Sequence, residues 1–241
     1  MASKRGKMIE VHNLSKRYGN FVALDGISFK VQQGEIVGLL GQNGAGKSTT
    51  MRLLSGYMPP SGGTATLCGF DLLDDAYEVR QRVGYLPERV PVYPDMTLEA
   101  YLLFWARLRQ TAHPKQRVRQ VLEQFELWGR RRQLIRNLSK GLRQRLGLAQ
   151  TLVHNPEIVI LDEPTIGIDP QQVIEVRQIV RDLRQQHTVL FSSHILSEVE
   201  QVCDRVIILH QGRIHQDVSL AALNQKGEKL EHLFINVVKG A

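Results

Sequence analysis

Cysteine is scarce: the 241 residues hold two, Cys68 and Cys203, far apart and in unlike surroundings. Neither a disulfide framework nor a cysteine-ligated metal has the spacing it needs. Both residues read as small, mostly buried, reduced side chains in a reducing compartment. No apolar run approaches the length of a membrane span. The basic start, Met1 to Lys7, is followed by no apolar h-region, so it does not read as a secretion signal. A cytoplasmic protein is expected, touching a membrane only through a partner. Aromatics make up only 6% of the chain, so aliphatic side chains have to fill the core. Arginine runs such as Arg130-Arg131-Arg132 have no interleaved aromatics for stacking on bases, and no direct nucleic-acid partner is expected. Acids are outnumbered, with 24 Asp and Glu against 31 Lys and Arg, for a formal net charge of +7. Such a surface suits an anionic partner, or is simply a solvated basic face. There is no internal repeat and no low-complexity linker.

What the chain does hold is organised around Gly41-Gln42-Asn43-Gly44-Ala45-Gly46-Lys47-Ser48-Thr49. This is the phosphate-loop pattern of Gly, four residues, then Gly-Lys-Ser/Thr. The run before it, Gly34 to Leu40, is nearly all apolar after its turn glycine and reads as a strand buried on both faces, and Ser48 to Leu54 can be helical. Glycines let several backbone N–H groups turn inward around phosphate oxygens, and the helix N-terminus adds its positive dipole end. Lys47 then reaches the β- and γ-phosphates and the Ser48 hydroxyl ligates Mg²⁺. A glycine-rich turn with a chance Lys-Ser is the bland alternative, and the flanking strand and helix count against it.

In order along the chain, Met8 to Val11 begins a strand, Tyr18-Gly19 sits in a polar loop, and Val22 to Leu24 is a short apolar piece. Ile27, Phe29 and Val31 alternate with Ser28 and Lys30, as in a half-buried strand. These early strands suggest an antiparallel sheet beside a nucleotide core. Pro59 to Gly63 is a turn, Thr64 to Cys68 a strand, Asp74 to Arg82 a helix and Val83 to Leu86 a strand. From Thr97 to His154 the pattern becomes helical. Thr97 is an N-cap, with Leu98, Tyr101, Leu102, Trp105 and Leu108 on one face. Pro114 starts the next helix, striped by Val118, Val121, Leu122 and Phe125. Strands then return at Ile158 to Leu161, Thr188 to Phe191 and Val206 to Leu209, separated by helices at Gln171 to Gln185 and Ile195 to Val202. The tail from Leu220 is short and carries little pattern.

Five further motifs accompany the loop. Ile158-Val159-Ile160-Leu161-Asp162-Glu163 is a buried strand ending in two acids. The first can hold Mg²⁺ through water, and the second can orient or deprotonate an attacking water. Taken alone, the pair could equally cap the next helix. Leu138-Ser139-Lys140-Gly141-Leu142-Arg143-Gln144 opens a helix with a hydroxyl and free N–H groups. His194 follows Phe191-Ser192-Ser193, Asp169 sits in Ile166-Gly167-Ile168-Asp169-Pro170, and Tyr18 precedes Gly19.

Together these motifs resemble the nucleotide-binding subunit of an ATP-binding cassette (ABC) transporter, over about Met8 to Arg213, and most nearly the export-type permease subfamily. Ser139 and Gly141 match the family's Leu-Ser-Gly-Gly-Gln signature, while Lys140 and Leu142 depart from it. The resemblance implies an α/β fold: a phosphate-loop NTPase core with an antiparallel edge sheet and an inserted helical subdomain. It implies a single nucleotide-binding domain over 1–241, with the core and edge sheet at about 1–88 and 156–220. The helical subdomain would span about 89–155 and a short tail 221–241. Two copies would meet head to tail around two ATP, each site joining Gly41 to Thr49, Asp162, Glu163 and His194 of one chain to Ser139, Lys140 and Gly141 of the other. Glu163 would be the catalytic base, His194 the γ-phosphate contact, Asp169 part of the loop between the sites, and Tyr18 the platform under adenine. Ser48 and Asp162 would serve Mg²⁺, as would Glu88, which stands where the family usually has Gln. The implied activity is ATP hydrolysis that powers a separate membrane permease, with export expected; the alternative is a soluble ABC-type ATPase acting on nucleic acid or ribosomes. Such proteins generally carry two cassettes or large insertions.

Overall fold

The computed structural model describes residues 6–240; the basic start at 1–5 and Ala241 lie outside the described residues. β1 (Lys7–Tyr18) and β2 (Phe21–Gln32) form a long antiparallel hairpin. Ile27, Phe29 and Val31 are buried and Ser28 and Lys30 exposed, as the alternation requires. Both strands are continuous where the sequence pattern suggests short pieces, and Tyr18 closes β1 rather than lying in a loop. Register shifts between Val11 and Leu14 and around Lys16 absorb the polar residues that break the alternation.

β3 (Ile36–Leu40) is buried throughout, and α1 (Lys47–Leu54) follows the glycine loop. β4 (Gly62–Leu67) pairs with the free side of β1, and β5 (Phe70–Asp71) extends that sheet to the order β2-β1-β4-β5. After α2 (Ala76–Arg82) and β6 (Val83–Leu86) comes the helical region, built from α3 (Leu98–Leu108), α4 (Pro114–Gln124) and α5 (Lys140–Leu152). Thr97 Oγ1 accepts the Ala100 N–H at 3.2 Å, so the cap is real. Leu98, Tyr101 and Leu102 are buried, but Leu108 is 57% exposed. It is the last residue of α3, and the buried Ala106 fills the space on the inner side of that final turn.

The remaining elements alternate: β7 (Ile158–Asp162), α6 (Pro170–Leu183), β8 (Thr188–Ser193), α7 (Leu196–Val202), β9 (Arg205–His210) and β10 (Arg213–Ser219). They complete a six-stranded sheet, β10-β9-β3-β8-β7-β6, parallel except for β10. The tail contains two helices, α8 (Leu220–Gln225) and α9 (Leu230–Gly240), which bury Leu220, Leu223, Leu230 and Val237 in the main core.

Each central strand contributes to two cores, because alternate side chains leave opposite faces of the sheet. Val37, Leu39, Ile158, Ile160 and Leu190 join Met51 and Leu53 of α1 and the inner face of the β1–β2 sheet. Ile36, Leu40, Val159, Leu161 and Phe191 join the helices of the other side. The C-terminal ends of β3, β6, β7 and β8 therefore open along one edge. That edge is where open α/β sheets place their ligands.

Candidate active site

Gly46 caps α1 with φ 107°, and a Cβ there would lie 2.7 Å from Leu24 Cδ2 and 2.8 Å from the Ala23 carbonyl oxygen. Both the backbone sign and the close approach of β2 demand glycine at this point. Lys47, the first residue of the helix, is buried. Its Nζ donates to the Gly41 carbonyl at 2.7 Å and the Gln42 carbonyl at 3.2 Å, and lies 3.3 Å from Glu163 Oε1. The ammonium is thus already bent back over the loop, at the N-terminus of a helix whose free N–H groups favour an anion.

The parallel ladder of β7 and β8 sets the acids. Asp162 pairs in register with Ser192, whose Oγ donates to Asp162 Oδ1 at 2.7 Å. Ser48 Oγ donates to the same oxygen at 3.0 Å. Asp162 is fully buried, and burial pushes its carboxyl above the ordinary value, against the pull of those two hydroxyls. Its Oδ2 has no hydrogen-bond partner among the described residues. Glu163 takes a left-handed backbone, φ 49°, as the chain leaves β7, and its N–H donates to Ser192 Oγ at 2.9 Å. Such a conformation in a residue other than glycine costs on the order of 1–3 kcal/mol and concentrates at functional sites. It turns the carboxylate between two partners, the Lys47 ammonium 3.3 Å from Oε1 and His194 Nδ1 2.8 Å from Oε2.

A cavity of about 390 Å³ opens over these groups. Tyr18, Asn43, Gly44, Gly46, Lys47, Ser48, Thr49, Glu88 and Glu163 line it, and Asp162 and His194 stand behind Ser48 and Glu163. Gly41, Gln42 and Ala45 form the loop beneath, the first two through their carbonyls to Lys47 and Ala45 as a buried pivot. Tyr18 is half exposed on the cavity rim, its hydroxyl on Met58 Sδ at 3.0 Å. Ser48 Oγ and the Asp162 carboxylate, whose Oδ2 lacks a partner among the described residues, offer the hard oxygen donors a divalent cation prefers, and Glu88 lines the same cavity. The described residues form no cluster of three or more His, Cys, Asp or Glu that would hold a metal unaided.

Ser139, Lys140, Gly141 and Asp169 are not among the cavity's lining residues. Ser139 caps α5, its Oγ accepting the Leu142 N–H at 3.3 Å. Asp169 caps α6, its Oδ1 accepting the Gln172 N–H at 3.0 Å. The two helix starts touch each other: Gln172 lies against Gly141, and the Lys140 ammonium against Gly167. Sequence patterns passed over Phe21 and Ala23 on the cavity wall, and Ser192, which ties Asp162 to Glu163. The Ser192-Ser193 pair before His194 was the available signal for the last.

The family described as "ABC transporter" matches residues 24–166. The linearmycin resistance ATP-binding protein LnrL of Bacillus subtilis (strain 168) is 38% identical over 210 residues, covering 86% of this chain and 68% of that protein. The Nod factor export ATP-binding protein I of a Burkholderia lata strain is 39% identical over 210 residues, covering 85% and 68%. A solved ATP-binding subunit of an ABC transporter superposes with a TM-score of 0.86 at 30% identity, over 96% of this chain and 99% of that one.

Proposed function

This chain belongs to the ABC transporter ATP-binding proteins, and from that premise we propose that it closes as a head-to-tail dimer around two ATP to drive export through a separate membrane permease. The chain binds ATP and is an ATPase. The observation that carries the division of labour is Glu163, held between Lys47 and His194 at the end of the strand that bears Asp162. In this reading the loop from Gly41 to Thr49 cradles the phosphates with backbone N–H groups. Lys47 leaves Glu163 for the β- and γ-phosphates. Freed of the ammonium, Glu163 orients the attacking water and takes its proton, while His194 steadies the carboxylate and faces the γ-phosphate. Tyr18 supports the adenine ring. Ser48, Asp162 and Glu88 would hold Mg²⁺, which would offset the charge of the phosphate oxygens.

Dimerisation is supported by incompleteness. Ser139 to Gly141 open a capped helix and do not line their own chain's cavity, so in this reading their anion is the ATP of a second copy. Loss of the shared γ-phosphate then loosens the pair, and Asp169 lies where the two sites communicate. The whole chain 1–241 acts as one cassette, with core and edge sheet at about 1–88 and 156–220, helical subdomain at about 89–155, and a tail at 221–241 that closes the core. No helix among the described residues is long and apolar enough to cross a membrane; in this reading a permease does the crossing. Its docking place is a second cleft, of about 780 Å³, on the far side of Glu88. Arg52, Arg80, Arg89 and Arg109 line that cleft. This wall of donors suits a permease segment bearing carboxylates, at the cytoplasmic face of the membrane.

The deciding experiment is phosphate release by Glu163→Gln. The amide is nearly isosteric, so ATP binding should persist and ATP-bound dimer accumulate, while turnover falls by the ~10²–10⁴-fold typical of general-base assistance. Near-normal release would reject Glu163 as the base. Co-purification with a polytopic membrane protein rather than RNA separates this reading from a soluble remodelling ATPase.

A further inference from the structure

Glu198, on the first turn of α7, is a carboxylate with 1% exposure that takes no direct part in the site. A buried charge persists only when its oxygens are well partnered. Here Oε2 accepts two hydroxyls at once, Thr165 Oγ1 at 2.8 Å and Ser193 Oγ at 2.8 Å. Oε1 faces Arg177 Nη2 at 3.6 Å, and Arg177 is itself held by Gln201 Oε1 at 3.0 Å. Both hydroxyls belong to segments that carry reacting groups. Thr165 lies two residues after Glu163, and Ile166 N–H returns to the Glu163 carbonyl at 3.1 Å. Ser193 directly precedes His194, and its Oγ also accepts the Ile195 N–H at 3.0 Å, fixing the turn on the other side of the histidine.

These bonds close a ring. It runs from Glu163 along the chain to Thr165, across Glu198 to Ser193, along the chain to His194, and back through His194 Nδ1 to Glu163 Oε2 at 2.8 Å. We propose that Glu198 is a positioning residue for hydrolysis: by clamping Thr165 and Ser193 to one oxygen, it sets the separation of Glu163 and His194. The inference rests on the reading of Glu163 as the base. Glu198 itself touches neither the cavity nor Lys47, so its effect must pass through the ring.

The test compares ATP affinity with turnover. Glu198→Ala should lower kcat by about 10- to 100-fold, the scale of a displacement near 1 Å in a catalytic group, and leave ATP affinity within about threefold. Glu198→Gln keeps an acceptor oxygen for both hydroxyls and should recover most of kcat. A residue that merely stabilised α7 would lower activity in any background. Single-turnover phosphate release in a His194→Ala background, where the ring is already open, should therefore show less than about a twofold further loss from Glu198→Ala. Equal losses in both backgrounds, or a fall in ATP affinity matching that in kcat, would overturn the proposal. If Glu198→Ala does not fold, Ser193→Ala and Thr165→Val each remove one donor and face the same comparison. Wild-type turnover in Glu163→Gln would instead reject the base assignment and leave the clamp measurements standing.

Discussion

Glu88 lies between two cavities, lining the nucleotide site on one side and the arginine-rich cleft on the other. A glutamine at this reach would offer Mg²⁺ a neutral carbonyl oxygen; the carboxylate offers a full charge. Without metal, that charge adds to Glu163 and the ATP phosphates, where like charges repel. With metal, it helps hold the ion. ATP affinity should therefore depend more steeply on Mg²⁺ in the native protein than in Glu88→Gln. Superimposable titration curves for the two would remove Glu88 from the metal's ligands. Single residues of the site were legible in the sequence in proportion to how local their duties are. Gly46, Lys47 and Ser48 act within one turn of each other, so spacing alone finds them. Ser192 and Glu198 reach partners about 30 residues away in the chain, which spacing does not show; the Ser192-Ser193 pair hints at the first, and nothing around Glu198 announces the second.

Where α5 runs out, His154 packs beside β6, with Nε2 3.3 Å from the Val83 carbonyl and Nδ1 unpartnered among the described residues. Burial, and next the charge of Arg109, pull its pKa from 6.5 down to about 4. The folded value lies below the unfolded one, so the unfolded chain binds the proton more readily between those two pH values. The contribution of His154 to stability is complete above pH 6.5 and is lost as pH falls through the window toward 4. The melting temperature should drop between pH 7 and pH 5. His154→Gln keeps a donor for Val83 without a titrating ring, and should make the drop shallower. His187, also lowered by burial, leaves part of the slope in place. Identical slopes would exclude His154 as a source of acid sensitivity. Elements were legible where a simple period held. The fully apolar β3 and β7 and the stripe of α4 were plain. β1 and β2 looked fragmentary because their bulges shift the alternation. α8 and α9 were within reach of a periodicity reading, since Leu220 and Leu223, and then Leu230, Leu233, Phe234 and Val237, recur at helical spacing and pack on the core.

In the proposed dimer each molecule supplies half of two sites rather than all of one, and that division is open to a mixing experiment. Ser139→Arg should leave ATP affinity of the monomer near normal while its bulk blocks closure; Lys47→Ala should lose phosphate contacts in its own cavity. Neither should hydrolyse ATP well alone. A mixed dimer keeps one site with native Lys47 and native Ser139, so part of the activity should return on mixing. If Ser139→Arg abolishes ATP binding by the isolated chain, the divided site is wrong. The α/β class and the helical insertion were legible at this scale because blocks of strand and helix alternate along the chain. The order of the sheet was not, since β3 pairs with β8 and β9, far downstream. That order bears on how the protein is made. During synthesis the strand that carries the phosphate loop leaves the ribosome about 150 residues ahead of its first neighbour, a wait of roughly 8–30 s at ordinary elongation rates. Throughout it, Ile36 to Leu40 have no ladder to join. The β1–β2 hairpin, already complete and local, is positioned to shelter Val37 and Leu39; the face bearing Ile36 and Leu40 stays open to chaperones until Thr188 to Ser193 emerge.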